Sequence, residues 1–188
     1  PVLIKPSKKN DPTVEVFRTL IVKDLIELDD NKKLLQKFID RGVEFLASEF
    51  IPGDDTNIYA FTCFRTPEGN IDGSWVGKKL TQHPDIGGVF SSASNDFVKT
   101  VEDQGIKLVN ALDCFGICEP EFKYDFRDGK YKLMEVNLRS MMWHRVGALS
   151  GVYLHKNLFE YAIGNEPISQ PKQISHKIHF VFMIHEIS

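Results

Sequence analysis

Cysteine, long apolar runs and an excess of either charge are what this sequence lacks. Cys63, Cys114 and Cys118 are the 3 cysteines of 188 residues, too sparse a set for the disulfide framework of a small secreted domain. They point to a reducing, cytoplasmic setting. The C-x3-C spacing of Cys114 and Cys118 has no second pair to complete a zinc site, so buried free thiols are expected. No apolar run approaches the roughly 20 residues that cross a bilayer, and no membrane partner is expected. The 23 basic and 26 acidic residues give a net charge of -3, without the basic excess that a nucleic-acid surface needs. No nucleic-acid partner is expected either. With 42% hydrophobic residues the chain has enough apolar side chain for a sizeable core, which excludes disorder as the dominant state.

The chain opens on Pro1-Val2-Leu3-Ile4-Lys5, already strand-like, which predicts a piece of a longer protein with neighbours upstream. After a polar loop over 6–12, Val14–Val22 reads as a second strand. Asp29-Asp30 is the expected cap of a helix carrying Leu34, Leu35, Phe38 and Ile39 and ending near Gly42. Glu44–Ile51 reads as a strand, and Ile58–Arg65 with Ile71–Leu80 as a hairpin around Pro67-Glu68-Gly69-Asn70. A loop with Pro84, Gly87 and Gly88 leads to Asn95, the expected cap of a second helix. Phe97, Val101, Leu108 and Leu112 are expected to share one of its faces, with Gly105 weakening the middle. Gly116–Phe126 and Lys130–Arg139 form another hairpin around Asp128-Gly129. Trp143–Ile163 reads as largely helical, interrupted at Gly147 and Gly151, and a strand near Ile178–Ile187 closes the order. Mixed strands and helices with antiparallel hairpins make an α+β protein.

The stretch richest in chemistry is Leu133-Met134-Glu135-Val136-Asn137-Leu138-Arg139. Side chains alternate along a strand, so Glu135, Asn137 and Arg139 would share one side. A carboxylate and an amide oxygen two residues apart suit a hard cation such as Mg²⁺, and an arginine beyond them suits a phosphate. The plainer reading is a half-solvated strand with a polar face. The preceding strand bears on the choice, because Glu119, Glu121, Lys123 and Asp125 alternate on one of its faces. A two-residue Asp128-Gly129 turn would throw Glu121 to the face opposite Glu135. A three-residue loop, Arg127-Asp128-Gly129 with Gly129 left-handed, would pair Phe126 with Lys130 and set Glu121 opposite Glu135. The second arrangement keeps both strands amphipathic and is the one expected. Two facing carboxylates repel unless a cation lies between them.

Glu135-Val136-Asn137-Leu138-Arg139 resembles the Glu-(apolar)-Asn-x-Arg motif of the ATP-grasp superfamily, in particular its carboxylate–amine ligase and carbamoyl-phosphate-synthase-like members. Val2-Leu3-Ile4-Lys5-Pro6 is similar to the strand whose lysine, here Lys5, contacts phosphate. Ser48-Glu49-Phe50-Ile51-Pro52-Gly53 resembles the hinge strand, which implies that the backbone around Phe50 and Ile51 meets the adenine edge. The same resemblance places Glu49 or Asp54 near the adenine amine or ribose. Gly77-Lys78-Lys79-Leu80-Thr81-Gln82-His83-Pro84 looks like the family's basic stretch, with Lys78 where arginine is usual. Glu121 matches the first metal carboxylate, Glu135 and Asn137 the second cluster, and Arg139 the phosphate-binding arginine. One departure is that Ser7-Lys8-Lys9-Asn10-Asp11-Pro12 stands where the glycine-rich phosphate loop is usual.

The resemblance implies an ATP-grasp fold in which two α+β subdomains with antiparallel sheets clamp ATP. Residues 1–50 would belong to the smaller subdomain and 51–188 to the larger, metal-binding one, with the N-terminal part of the enzyme missing. It implies ATP and Mg²⁺ (or Mn²⁺) as cofactors, and a small-molecule carboxylate and amine as partners. It also allows a homodimer. The reaction would activate the carboxylate as an acyl phosphate for attack by the amine, with Lys5, Lys79 and Arg139 on the phosphates and no protein nucleophile. The chain alone is expected to be inactive. The rival is a catalytically silent nucleotide-binding or regulatory module on the same fold. Trp143, His144 and Arg145 either line a substrate pocket or simply pack the connection onto the core.

Overall fold

A computed structural model describes residues 1–7, 15–83, 89–166, 168 and 172–186. The chain divides into two compact units, Pro1–Pro52 and Gly53–Ser188. In the first unit, strands β1 (Val2–Pro6), β2 (Leu20–Val22) and β3 (Phe45–Glu49) form an antiparallel sheet in the order β2-β1-β3. β2 is shorter than the strand expected over 14–22, and the polar loop over 8–12 lies outside the described residues. Helix α1 (Leu25–Ile39) begins five residues before the expected cap, at Asp24. The Asp24 carboxylate accepts from the Ile26 and Glu27 N–H groups at 2.9 Å each, and Glu27 in turn accepts from the Lys23 N–H at 2.7 Å. These bonds satisfy donors that a helix start leaves free, so Asp29 and Asp30 fall inside the helix. The small core of this unit packs Phe17, Phe38 and Phe45 with ring centroids 5.3–6.4 Å apart.

The second unit is built on a six-stranded antiparallel sheet in the order β8-β7-β4-β5-β6-β9. Its strands are β4 (Ile58–Arg65), β5 (Ile71–His83), β6 (Val89–Ser94), β7 (Gly116–Asp125), β8 (Lys130–Asn137) and β9 (His179–Val181). The expected hairpin between 58 and 80 is present. The loop over 84–88 is outside the described residues, and β6 stands in what was read as loop. Asn95 caps no helix. Its amide donates to the Ile174 and His176 carbonyls and its oxygen accepts from the Ile178 N–H, so it ties the later chain to β6. A three-residue β9 and a short helix α5 (Met183–Glu186) replace the expected closing strand.

Helix α2 (Lys99–Ala111) covers one face of the sheet through Val101, Gly105 and Val109, packed on Phe61, Cys63, Val76, Cys118 and Phe122. Phe97 and Leu112, expected to share a face with the buried Val101, lie just outside the helix and are 51% and 54% exposed. The helix approaches the sheet closely at Gly105, because a Cβ there would lie 2.3 Å from the Phe61 ring. Gly105 lets the helix sit down on the sheet. Helices α3 (His144–Leu149) and α4 (Leu154–Ala162) cover the other face. There Trp75, Phe64, Phe90 and Trp143 form the core, with Trp143 stacked on Phe90 at 4.2 Å. Gly147 lies within α3 against Trp75, and the helical run breaks at Gly151, where φ is +92°. All three cysteines are free and buried, as the sequence implied. No described helix is long and apolar enough to cross a membrane.

Gly105→Ala should destabilise the protein by about 1–3 kcal/mol, the usual cost of overpacking a filled core. An exposed helix glycine would instead gain roughly 1 kcal/mol from the same change. The urea midpoints of parent and variant measure the sign.

Candidate functional site

The registers of β4, β5 and β7 sort the candidate residues onto two faces. Ala60 pairs with both Gly77 and Glu121, so Gly77, Lys79, Glu119 and Glu121 share one face. Lys78 is on the other face, over the Tyr59 ring at 5.6 Å to its centroid. Of the two lysines read together from the basic stretch, only Lys79 is on the glutamate side. Its ammonium is 4.4 Å from the centroid of the Phe90 ring and donates to the Gln82 side-chain oxygen at 3.1 Å.

Glu121 is directly opposite Glu135, but the turn that was expected to bring them together is absent. Asp125 pairs with Lys130, which makes the turn four residues, Phe126 to Gly129. The Gly129 N–H donates to the Asp125 carbonyl at 2.8 Å, with Gly129 left-handed at φ +71°. Regular pairing from this turn would set Met134 opposite Glu121 and aim Glu135 at the far face. The register shifts instead between Glu121 and Phe122, since Phe122 pairs with Leu133. Met134 is therefore an extra residue, and this bulge turns Glu135 and Asn137 onto the Glu121 face. The turn is held by Asp125, a fully buried side chain whose carboxylate bonds Arg127 at 2.5 Å and Lys132 at 2.7 Å. The hydrogen bonds from Arg127, then those from Lys132, hold the Asp125 carboxyl well below the usual carboxylate range.

The Asn137 amide donates to Glu121 Oε1 at 2.9 Å and reaches Glu135 Oε1 at 3.5 Å. Glu121 is 5% exposed. Burial first, and then the charges of Glu119 and Glu135, push its carboxyl up to about 8, against the opposing pull of Lys79 and Asn137. Lys123, farther along the same face, donates to the Gly53 carbonyl at 2.6 Å. Burial lowers its pKa, while Asp55 and Asp54 act to raise it. Asp54 itself caps the short 3-10 turn Asp55–Asn57 by accepting from the Thr56 N–H at 3.0 Å.

β8 ends at Asn137, so Arg139 is in the bend beyond the strand, where its guanidinium meets the Ser140 carbonyl and Met141 Sδ. The remaining candidates belong to the first unit. Lys5 is in β1 opposite Leu46, and Glu49 ends β3. Phe50 donates its N–H to the Pro1 carbonyl at 3.2 Å, and Ile51 follows it. Trp143 is fully buried in the core, as the plainer of its two readings held.

A further buried carboxylate had no role in the motif reading. Glu119 is 0% exposed, and its Oε2 accepts from Thr62 Oγ1 at 3.2 Å, Trp143 Nε1 at 3.1 Å and His144 Nε2 at 2.5 Å. Its Oε1 is buried with no partner among the described residues. The signal in the sequence was its position two residues before Glu121 on one strand, which gives it the same face.

Glu121 and Glu135 offer hard carboxylate oxygens that suit one divalent cation, and Asn137, whose amide nitrogen bonds both, would add its oxygen once the amide is turned over. The destabilised Glu121 carboxylate is the charge such a cation would neutralise. Among the described residues no group of three or more His, Cys, Asp or Glu side chains is arranged to hold a metal ion. The fit therefore depends on the Asn137 amide completing the two carboxylates.

No family model matches the chain. Over 131 residues it is 27% identical to a D-aspartate ligase from Enterococcus faecium, a match that covers 66% of this chain and 30% of that protein. It therefore spans about a third of that relative's length. Among solved structures, a Campylobacter jejuni biotin carboxylase in complex with β-γ-ATP has a TM-score of 0.70 at 14% identity, over 95% of this chain and 41% of that one. The biotin carboxylase domain of Hydrogenobacter thermophilus 2-oxoglutarate carboxylase, with MgADP and bicarbonate, has 0.71 at 17% identity, over 95% and 40%. An N5-carboxyaminoimidazole ribonucleotide synthetase in its ADP complex has 0.69 at 10% identity, over 96% and 45%. The chain has the ATP-grasp fold, α+β with antiparallel sheets, as its motifs implied.

Replacing Asp125 by asparagine tests the anchor of the β7–β8 turn. A carboxyl held below its usual value adds stability above about pH 4 and loses it as the pH falls through the folded-state value. Asp125→Asn should be less stable than the parent at neutral pH, with the gap closing below about pH 4. Urea midpoints across that range read both limbs.

Proposed function

We propose that this chain is the ATP- and Mg²⁺-binding part of an ATP-dependent ligase, one that activates a carboxylate as an acyl phosphate for attack by an amine. In this reading the first unit corresponds to the smaller ATP-grasp subdomain from the lysine strand to the hinge, and the second to the larger one. The observation that carries it is the Glu121–Glu135 pair with Asn137 between them and Lys79 on the same face. The likeness to a D-aspartate ligase and to structures holding ATP or ADP supports the direction.

Glu121, Glu135 and Asn137 would hold Mg²⁺, which when bound supplies charge neutralisation to the nucleotide phosphates. Lys79 approaches from the same face with an ammonium already partly stripped of water, so its attraction for a phosphate is stronger than in bulk solvent. Arg139 offers a planar fork of donors for a phosphate or for the phosphoryl group in transfer. For Lys5 on phosphate, and for Glu49, Phe50, Ile51 and Asp54 around the adenine and ribose, the support is the motif resemblance. Lys79 is taken for the phosphate role in preference to Lys78, because the two occupy opposite faces. Carboxylate oxygen attacks the γ-phosphorus and ADP leaves, and amine nitrogen then attacks the carbonyl carbon and phosphate leaves. Positioning and electrostatics carry both steps, with no covalent enzyme intermediate.

A thermal shift with ATP alone and with ATP plus Mg²⁺ tests the binding part of this reading. At ten times the dissociation constant, a ligand stabilises the folded state by about 1.4 kcal/mol. That corresponds to a rise of roughly 3–6 °C for a chain of this size. The parent should show a Mg²⁺-dependent rise, and Glu135→Ala/Asn137→Ala should show none. No rise in the parent, or the same rise in both, would overturn the reading.

A further inference from the structure

A continuous path of contacts runs from Glu119 to Arg139, two residues that the motif reading does not connect. Glu119 Oε2 meets His144 Nε2 at 2.5 Å. The other ring nitrogen of His144, Nδ1, accepts from the Met141 backbone N–H at 3.3 Å. The Met141 side chain packs against the core cluster, and its sulfur meets the Arg139 guanidinium. A second backbone bond, from the His144 N–H to the Met141 carbonyl at 3.2 Å, closes the turn between them. Because Nδ1 accepts, Nε2 carries the proton and donates it to the carboxylate, so one tautomer serves both ends of the link.

The setting of Glu119 suits an anchor. Its three donors come from Thr62 on β4, from Trp143 and from the first residue of α3, all on one oxygen of a side chain with no exposed surface. Hydrogen bonds to a carboxylate are about twice as strong as those between neutral groups, and more so in a buried site. The segment after Asn137 lacks the support of strand pairing, since β8 has ended. Among the described residues this link restrains it, together with the buried Trp143 and the bond between Ser140 Oγ and His155 Nε2 at 2.9 Å.

We propose that Glu119 is the positioning residue for Arg139, acting through His144 and Met141 to hold the guanidinium where a phosphate would meet it. This rests on the reading of Arg139 as a phosphate-binding group. Glu119 touches no ligand in this role. It sets the geometry of a side chain that stands beyond the end of β8, and such support is what gives a flexible arginine a defined direction.

The test is a double-mutant cycle on the full chain with MgADP as the probe, read by calorimetric titration. His144→Asn removes the bond to Glu119 and keeps a polar side chain near the Met141 N–H. It should weaken MgADP binding about tenfold when Arg139 is present, and less than about twofold in an Arg139→Ala background. Equal losses in the two backgrounds would overturn the proposal, because a general loss of order does not depend on Arg139. Glu119→Gln keeps an acceptor for the three donors and should bind more tightly than His144→Asn. A second readout needs no nucleotide. Trypsin cleavage after Arg139 should be several-fold faster in His144→Asn than in a destabilised control such as Gly105→Ala, compared at equal global stability. The same rate in both would overturn the proposal. A parent chain that binds no MgADP would sink the reading of the nucleotide site, and the cleavage rates would still decide whether Glu119 holds the Arg139 segment.

Discussion

Carboxylates buried on one sheet face are the constraint around which the second unit is arranged. β7 sends Glu119, Glu121 and Asp125 into positions with almost no exposed surface, and an ionised carboxylate there is costly unless something answers its charge. Each of the three is answered differently. Asp125 has two cations at its oxygens, Arg127 and Lys132. Glu119 has three donors on one oxygen. Glu121 has one amide, a lysine at electrostatic range and two like charges, and its carboxyl rises to about 8. Strongly perturbed carboxyls cluster at functional sites, and Glu121 on β7 is so perturbed. Asp125 is paired by cations, Glu119 is bonded on one of its two oxygens, and Glu121 is the least compensated of the three.

That gradation also separates the ends of a single strand from its middle. Asp125 secures the turn that starts β8, and Glu119 secures the segment that leaves it. Between them, Glu121 faces Glu135 and Asn137 with spare binding capacity. Strands alternate faces with a period of two, so Glu119, Glu121 and Asp125 share one face of β7, with Glu121 about 7 Å from Glu119 and about 13 Å from Asp125. Mechanical precision at the site then depends on both ends of β8 being tied to the same rigid strand, with β4 behind it and α2 packed on the far side through Gly105.

Much of this was legible in the residues. The alternation in Glu135-Val136-Asn137 and in Glu119-Pro120-Glu121 gave the face, and the hairpins between 58 and 80 and between 116 and 137 were read near their true limits. What was missed has identifiable causes. The apolar spacing that starts at Leu34 points to a cap at Asp29, whereas the first turn after Asp24 carries Leu25 and Ile26, both largely exposed, and so shows no inward stripe. β6 is hard to read because Phe90, Ala93 and three serines alternate weakly and follow a stretch of sequence with Pro84, Gly87 and Gly88. The role of Asn95 is tertiary, fixed by chain that returns some 80 residues later, and no local pattern reports that. Lys78 and Lys79 read as one basic motif, yet adjacent strand residues must face opposite ways.

The pairing of Glu121 with Glu135 came out as expected although the turn behind it did not, and the reason bears on how such a site is built. Counting back from Asp128-Gly129 gives a register that depends on turn length, and a four-residue turn alone would have separated the two carboxylates. An extra residue at Met134 restores the pairing. β8 is the edge of the sheet, and edges are where an extra residue costs least, because only one neighbour must absorb it. The bulge also twists the free side of β8 away from regular strand geometry, which discourages a second chain from adding there. One inserted residue thus aims Glu135 and Asn137 at Glu121 and leaves the turn free to be set by Asp125. Register at a binding face is in this sense a property of the whole hairpin. Sequence spacing between two motif residues predicts it only when turn and bulge are counted together.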